Sequence, residues 1–215
     1  MGSSNDNLDI IAYLCRTGLL PRGGVIADIG CQQLWDGDVD RLRAFFAEFG
    51  LCPDNGALER LAARGCFILE HLKLTGFRYR SFDIVEAPDC EYFNLNTDAV
   101  PARHRGAFDL VLNFGTTEHV MNQLNAMKAL HDLTKHGGLI YSYFIRSAAM
   151  EHGLVHYSDR FVDLWMRANN YEQIWRCDPA DGGCTWIVVR KTKLAEFNEI
   201  VDVQEGEGLP ALVQR

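Results

Sequence analysis

Two hydrophobic periods alternate along this chain, and the switches between them mark its elements. Val25-Ile26-Ala27 and Ile29 make a short, nearly continuous apolar run, which predicts a central parallel strand buried on both faces. Further strands are predicted at 79–85, 91–95, 108–113, 139–144, 171–175 and 185–190. Helical spacing lies between them. Leu8, Ile11, Ala12 and Cys15 form a first apolar stripe that Gly18 ends, and Val39, Leu42, Phe45, Phe46 and Phe49 form another that Gly50 ends. Leu58, Leu61 and Ala62, then Phe67, Ile68, Leu69 and Leu72, predict two more helices. Residues 122–133 carry Leu124, Met127, Leu130, His131 and Leu133 on one face, with His136-Gly137-Gly138 closing that helix, and 160–168 is helical again.

Strands alternating with helices predict an α/β protein with a doubly wound, mostly parallel, Rossmann-like sheet. Asp181-Gly182-Gly183 turns the last two strands into a hairpin, so the last strand runs antiparallel. One helix normally suffices to cross between adjacent parallel strands. Residues 36–76 hold three, a helical insertion after the first strand that serves either as extra packing or as a cover for the ligand end of the sheet. The reading is one domain over 1–203, with 204–215 as a flexible C-terminal tail.

Composition narrows the class. The 215 residues are 47% hydrophobic and 23% charged, with a formal charge of −8. That balance disfavours a nucleic-acid partner, which needs a basic surface. No apolar run reaches the roughly 20 residues of a membrane span, and Met1–Asp6 lacks the basic start and apolar core of a secretory signal. With seven scattered cysteines and no Cys-x-x-Cys pair, free thiols and a cytoplasmic location are expected. Cys177 and Cys184 flank the final turn, where they could be neighbours across the hairpin. The oligomeric state is not fixed by the sequence, and a homodimer stays open.

Chemistry enters at the end of the first strand. Asp28 sets a carboxylate at its carboxyl end, where open α/β sheets bind ligands, and Gly30 lets the backbone turn beneath a ligand. A carboxylate suits a cationic or hydroxyl-bearing ligand better than a phosphate, which points to an aminoacyl nucleoside rather than a nucleoside triphosphate.

In this order of elements the chain resembles the class I S-adenosylmethionine-dependent methyltransferases, specifically those acting on small molecules, over about residues 24–190. Asp28-Ile29-Gly30-Cys31 is similar to the family's first motif, which holds the methionine part and ribose of the cofactor. Asp83 stands where the family places an acid that takes both ribose hydroxyls, with Glu86 as the fallback. Asn94-Leu95-Asn96 stands where the family contacts adenine, and Ile84 with Leu95 would line that slot. Phe108-Asp109-Leu110-Val111-Leu112-Asn113 and Leu133–Ile140 match the fourth strand and the approach to the fifth. The cofactor-binding set implied by the resemblance is therefore Asp28, Gly30, Cys31, Gln32, Asp83, Ile84, Leu95, Asn96, Asn113, Phe114 and Gly115, with S-adenosyl-L-methionine as cofactor and a small molecule as acceptor. Two departures stand out: Gln32 replaces a second glycine, and the insertion lengthens the path from Asp28 to Asp83.

Glu118-His119 follows the fourth strand, where a subset of the family carries a similar pair near the transferring methyl. His119 is the expected catalytic base, with Glu118 orienting it or binding substrate; the alternative is that both cap the next helix. His156 is a second base, or is simply solvated. Trp35 either closes over the cofactor or packs in the core. The spacing of His119, His152 and His156 gives no ligand cluster, so no metal is expected. A nicotinamide-dependent oxidoreductase lacks support, because Gly30 is followed by Cys31-Gln32-Gln33-Leu34 rather than a glycine-lined turn. A non-catalytic methyltransferase-like binding or scaffold protein is the remaining alternative.

Overall fold

The unbroken apolar run at Val25–Ile29 forms the middle of the sheet, where both faces are covered. The computed structural model describes residues 2–147 and 151–200; the expected tail at 204–215 lies outside the described residues. In chain order the elements are β1 (Gly2–Ser3), α1 (Asn5–Arg16), β2 (Val25–Ile29), β3 (Gln33–Leu34), α2 (Val39–Glu48), α3 (Asn55–Ala62), α4 (Ile68–Leu74), β4 (Arg78–Asp83), β5 (Cys90–Tyr92), β6 (Phe108–Phe114), α5 (Gln123–Leu133), β7 (Thr134–Ile145), α6 (Asp159–Ala168), β8 (Tyr171–Cys177) and β9 (Cys184–Lys191). The large sheet has seven strands in the order β5-β4-β2-β6-β7-β9-β8. β9 pairs antiparallel with both β7 and β8, while the other pairings are parallel. The strand order reverses around β2 and β6, so the crevice for a ligand opens at their carboxyl ends.

Alternate strand residues feed two cores. Ile26, Leu110, Leu112, Leu139 and Tyr141 pack with α1 to α4 on one face. Ala27, Ile29, Val111 and Ile140 pack with α5 and α6 on the other. The inserted helices are therefore the covering layer of one face. Their path is pinned to the first loop: the Leu34 amide donates to the Cys66 carbonyl at 2.7 Å, and the Ile68 amide donates to the Gln32 carbonyl at 3.0 Å. Gly37 lets the chain pass α3, since a Cβ there would lie 2.2 Å from the Ala62 carbonyl oxygen.

Several expectations need correction. The helix of 122–133 does not close at His136-Gly137-Gly138; α5 ends at Leu133 and the chain enters β7 at once. Thr134 pairs with Phe108 while Leu139 pairs with Leu110, so the glycines occupy an irregular bulge of the strand. Gly138 is required there because a Cβ would sit 2.9 Å from the Phe108 carbonyl oxygen. The second predicted strand ends at Asp83 and not Val85, and the third spans Cys90–Tyr92. The short parallel pair β1–β3 has no periodic signal at two residues each. Trp35 is not core: it is 46% exposed, with the Arg64 guanidinium 4.3 Å from its ring centre. Cys177 faces Trp186 across the hairpin, two residues from Cys184, so the two cysteines are diagonal neighbours rather than a directly opposed pair, and all seven cysteines are free.

Candidate functional site

The loop after β2 is built by two carboxylates. Gly30 adopts φ +88°, a conformation that costs an L side chain strain, and its amide donates to the Phe82 carbonyl at 2.9 Å. The next two amides turn to acids: Cys31 donates to Asp83 Oδ2 at 3.0 Å and Gln32 to Asp28 Oδ2 at 3.1 Å. The parallel register places Asp28 beside Ser81, so Asp83 stands one step beyond the end of β2. The long insertion leaves this juxtaposition intact. Asp83 Oδ1 also accepts the amides of Ile84 at 2.7 Å and Val85 at 3.3 Å.

Asp28 is fully buried. The Tyr79 hydroxyl donates to its Oδ2, while its Oδ1 has no partner among the described residues. Burial pushes the Asp28 carboxyl up to about 8, against the downward pull of the Tyr79 and Gln32 hydrogen bonds. A buried carboxylate oxygen without a partner among the described residues, near the carboxyl end of β2, fits the ammonium of an aminoacyl nucleoside, or a water that it holds.

Gln32, the departure from a second glycine, is a buried brace. Its Nε2 donates to the Ile29 carbonyl at 3.1 Å and to Thr116 Oγ1 at 3.0 Å, and Thr116 in turn donates to the same carbonyl at 2.6 Å. The loops after β2 and β6 are thereby tied together. Cys31 Sγ reaches Ser81 Oγ at 3.4 Å, and burial pushes its thiol up to about 12, so it stays neutral.

Among the predicted adenine contacts, Ile84 is 60% exposed and Leu95 is buried. Asn96 spends its side chain on the protein: its Oδ1 accepts the amides of Met121 and Asn122, each at 3.1 Å. Asn113 likewise holds the β6 loop, donating to Thr117 Oγ1 at 3.0 Å. Phe114 points into the core, edge-on to Tyr141 with ring centres 4.8 Å apart. Gly115 turns the chain at φ +83°.

The next residues form a second group. Glu118 is fully buried, and neither carboxylate oxygen has a partner among the described residues. Burial pushes it up to about 7. Two glycines make room for it: a Cβ on Gly115 would lie 3.0 Å from Glu118 Oε1, and one on Gly153 would lie 3.0 Å from its Cγ. The amides of Leu154 and Val155 donate to the Glu118 carbonyl at 2.7 and 3.0 Å, which fixes the loop after β7 over this turn. His119 is exposed, and its ring centre lies 4.8 Å from that of His152. Burial, then the neighbouring His152, lowers the His119 pKa. His156 is not simply solvated, since its Nε2 is buried without a partner among the described residues. Nor do Glu118 and His119 cap the next helix; the α5 cap is Asn122, whose side chain accepts the Asn125 amide at 3.1 Å. The expectation that the histidines do not gather holds only for spacing along the chain: ligand atoms of Glu118, His119 and His152 all lie within 4.8 Å of one another.

Sequence reasoning missed Tyr79 and Thr116 as members of these groups, and it placed His152 at the ligand end of the sheet, suited to substrate recognition, without bringing it to Glu118 and His119. Tyr79 carried a usable signal, a polar-tipped aromatic two strand steps before Ser81 on the same face as Asp28. The partnership of Thr116 with Gln32 and of His152 with Glu118 depends on loops from different strands meeting, which no local pattern records.

No curated protein matches the chain in sequence. Among solved structures, the fold is similar to that of the Burkholderia thailandensis 1,6-didemethyltoxoflavin-N1-methyltransferase with bound 1,6-didemethyltoxoflavin and S-adenosylhomocysteine, with TM-score 0.52, 14% identity, and 86% of this chain and 78% of that one covered. It is also similar to TehB from Haemophilus influenzae (TM-score 0.54, 10% identity, 86% and 62% covered) and to the cyclase SpnF (TM-score 0.52, 11% identity, 87% and 80% covered). At these identities the likeness is one of fold, and the presence of a cyclase shows that the fold alone does not dictate the reaction. The family model described as a methyltransferase domain matches residues 6–190, nearly the whole described chain. The chain therefore belongs to the methyltransferase domain family, as an S-adenosylmethionine-dependent methyltransferase with a Rossmann-like fold.

Proposed function

We propose that this methyltransferase acts on an oxygen or nitrogen of a small polar acceptor, such as a sugar or secondary metabolite. The observation that carries the reading is the buried Glu118, without a side-chain partner among the described residues, beside the exposed His119, at the same end of the sheet as the Asp28 and Asp83 carboxylates. When bound, S-adenosylmethionine supplies a methyl carbon made electrophilic by its sulfonium.

The chain's own residues do the rest. Asp83 accepts the ribose hydroxyls through charge-assisted bonds, and Asp28 takes the aminoacyl ammonium directly or through water. Gly30, Cys31 and Gln32 shape the backbone under the ligand. Ile84 and Leu95 offer apolar surface to the adenine, and Asn96, Asn113, Phe114 and Gly115 hold the adjoining loops in place. His119 removes a proton from an acceptor hydroxyl, an effect of about a hundredfold or more. Glu118 makes no hydrogen bond to that imidazole among the described residues and so serves to bind the acceptor, and His156 is the second base. Positioning of the acceptor lowers the barrier by several kcal/mol. The net charge of −8 supports a small acceptor over a nucleic acid.

The test is a methyl-transfer screen of small hydroxyl and amine acceptors, alongside calorimetric titration with S-adenosylhomocysteine. His119→Ala is expected to lower turnover about a hundredfold while leaving S-adenosylhomocysteine affinity unchanged. Equal turnover in the variant would remove His119 from the reaction.

A further inference from the structure

Resting on the reading that the acceptor binds beside Glu118, we propose that Glu118, His119 and His152 form a site for one divalent transition-metal ion, whose open positions take an oxygen of the acceptor. Three observations lead there. The first is the donor set: one carboxylate and two imidazoles, from the loops after β6 and β7, with ligand atoms all within 4.8 Å of one another. Metal–ligand bonds of about 2.0–2.1 Å put neighbouring tetrahedral ligands about 3.3 Å apart. Small rotations of the two exposed rings would close that gap while the buried carboxylate stays still.

The second observation is the state of Glu118. Its side chain is fully buried, yet neither oxygen accepts a hydrogen bond from any other described residue. A buried carboxylate without donors is unfavourable. An acid that merely oriented His119 would meet a ring N–H, and here no such bond forms. A dication bridging the carboxylate and both rings satisfies all three groups at once.

The third is that the backbone is built around this carboxylate. Gly115 and Gly153 both take positive φ where a Cβ would come within 3.0 Å of Glu118. The Glu118 carbonyl accepts the Leu154 and Val155 amides, which holds His152 on its loop above the acid.

The ligand types choose the ion. Two imidazoles and one carboxylate on one side leave positions free on the other, an arrangement suited to a first-row transition metal rather than to the all-oxygen preference of calcium or magnesium. The two histidines are exposed, so the free positions face the side from which an acceptor arrives. There the ion would bind the acceptor oxygen and lower its pKa; the proton leaves to solvent, so with the ion bound the activating role given above to His119 as a base passes to the ion that His119 helps to hold. This narrows the acceptor to an oxygen nucleophile.

The test uses the full chain, stripped with a chelator and titrated with Co2+ alone by calorimetry and visible absorption, since cobalt bands distinguish nitrogen and oxygen ligands from thiolates. The expected result is one Co2+ per chain with no sulfur charge-transfer band. His152→Ala and Glu118→Gln are each expected to weaken binding about a hundredfold, since even loss of an outer-shell partner costs 10–100-fold. His152 is exposed, so its variant should keep the parent's circular dichroism and S-adenosylhomocysteine affinity. Co2+ binding that is absent, or equal in parent and His152→Ala, overturns the site. If S-adenosylhomocysteine binds and Co2+ does not, the metal site falls and the methyltransferase reading stands. If Co2+ binds through these residues but no acceptor is methylated, the ion site stands and the acceptor reading falls.

Discussion

The Cys31 amide donates to the Asp83 carboxylate at 3.0 Å across a sequence separation of 52 residues. The bond connects the turn after β2 to the tip of β4 and survives three intervening helices, because the two strands are direct parallel neighbours. One Asp83 oxygen is committed to Cys31 and the other to the Ile84 and Val85 amides, so the carboxylate is already aimed before any ligand arrives. Preorganisation of this kind lowers the cost of binding. Asp83→Ala should therefore weaken S-adenosylhomocysteine binding by tenfold or more, since hydrogen bonds to a charged group contribute about 1.5–3 kcal/mol each. Glu86→Ala, at an exposed position beyond the strand, should leave affinity unchanged. Calorimetry on both variants checks the assignment, and the reverse pattern would move the ribose acid to Glu86.

Asp28 makes a pH prediction. Its carboxyl is raised from the ordinary 3.8 to about 8, chiefly by burial. The unfolded chain releases this proton near pH 4, whereas the folded chain keeps it to about pH 8. The group's contribution is thus fully present below pH 4 and is lost as pH rises toward 8. Asp28→Asn removes that loss, so the stability of the variant relative to the parent should increase across pH 4–8 in denaturant titrations. A difference that is flat with pH would show that the carboxyl is not held protonated. Because an ammonium ligand favours the ionised form, S-adenosylhomocysteine should bind the parent more tightly as pH approaches 8.

Gln32→Gly would supply the second glycine that the methyltransferase resemblance leads one to expect, and should nonetheless destabilise this chain. The substitution deletes the two bonds from Nε2 to Ile29 and Thr116 and adds backbone freedom to the unfolded state. A loss of about 1–3 kcal/mol is expected from thermal or denaturant unfolding. Unchanged stability would mean that the brace between the two loops is unimportant.

Gly153→Ala tests the packing over Glu118. A Cβ there would lie 3.0, 3.2 and 3.3 Å from Glu118 Cγ, Cβ and carbonyl oxygen, at a φ of +82°. Both the contact and the conformation oppose it, and a cost of about 1–3 kcal/mol follows. Gly182→Ala, at a similar φ of +66° but with nothing within 4 Å, should cost less. The two melting temperatures separate steric crowding from backbone strain; equal losses would leave Glu118 out of the explanation.

Much of the molecule follows from local pattern. Apolar runs fix β2 and β6 as interior strands, and the 3.6-residue stripes fix α1 to α5. The acid near the end of β2 and the glycine just after it stand out because a polar group at the end of a buried strand has no packing reason to be there. What the pattern misplaces is equally physical. His136-Gly137-Gly138 looks like a helix stop, but the pairing of Thr134 with Phe108 turns it into part of a strand, since tertiary pairing outweighs local punctuation. Ile84 looks like a strand residue and proves to be exposed beyond the strand's end. Asp109 illustrates the reverse: it belongs to a recognisable motif, yet it accepts the Val25 amide at 2.7 Å and pairs with Lys135 at the amino ends of the strands, far from the ligand end.

The sequence by itself thus determined the sheet, its helical cover and the acids at its carboxyl edge, because those depend on periods and on strand ends. Only the tertiary structure decided that Asp28 is held by Tyr79, that Gln32 braces Thr116, and that the Glu118 carboxylate, without a partner among the described residues, lies close to His119 and His152. Each of these joins segments from different crossovers, and hydrogen bonding and burial between such segments are set by how the chain packs in three dimensions rather than by neighbours along it.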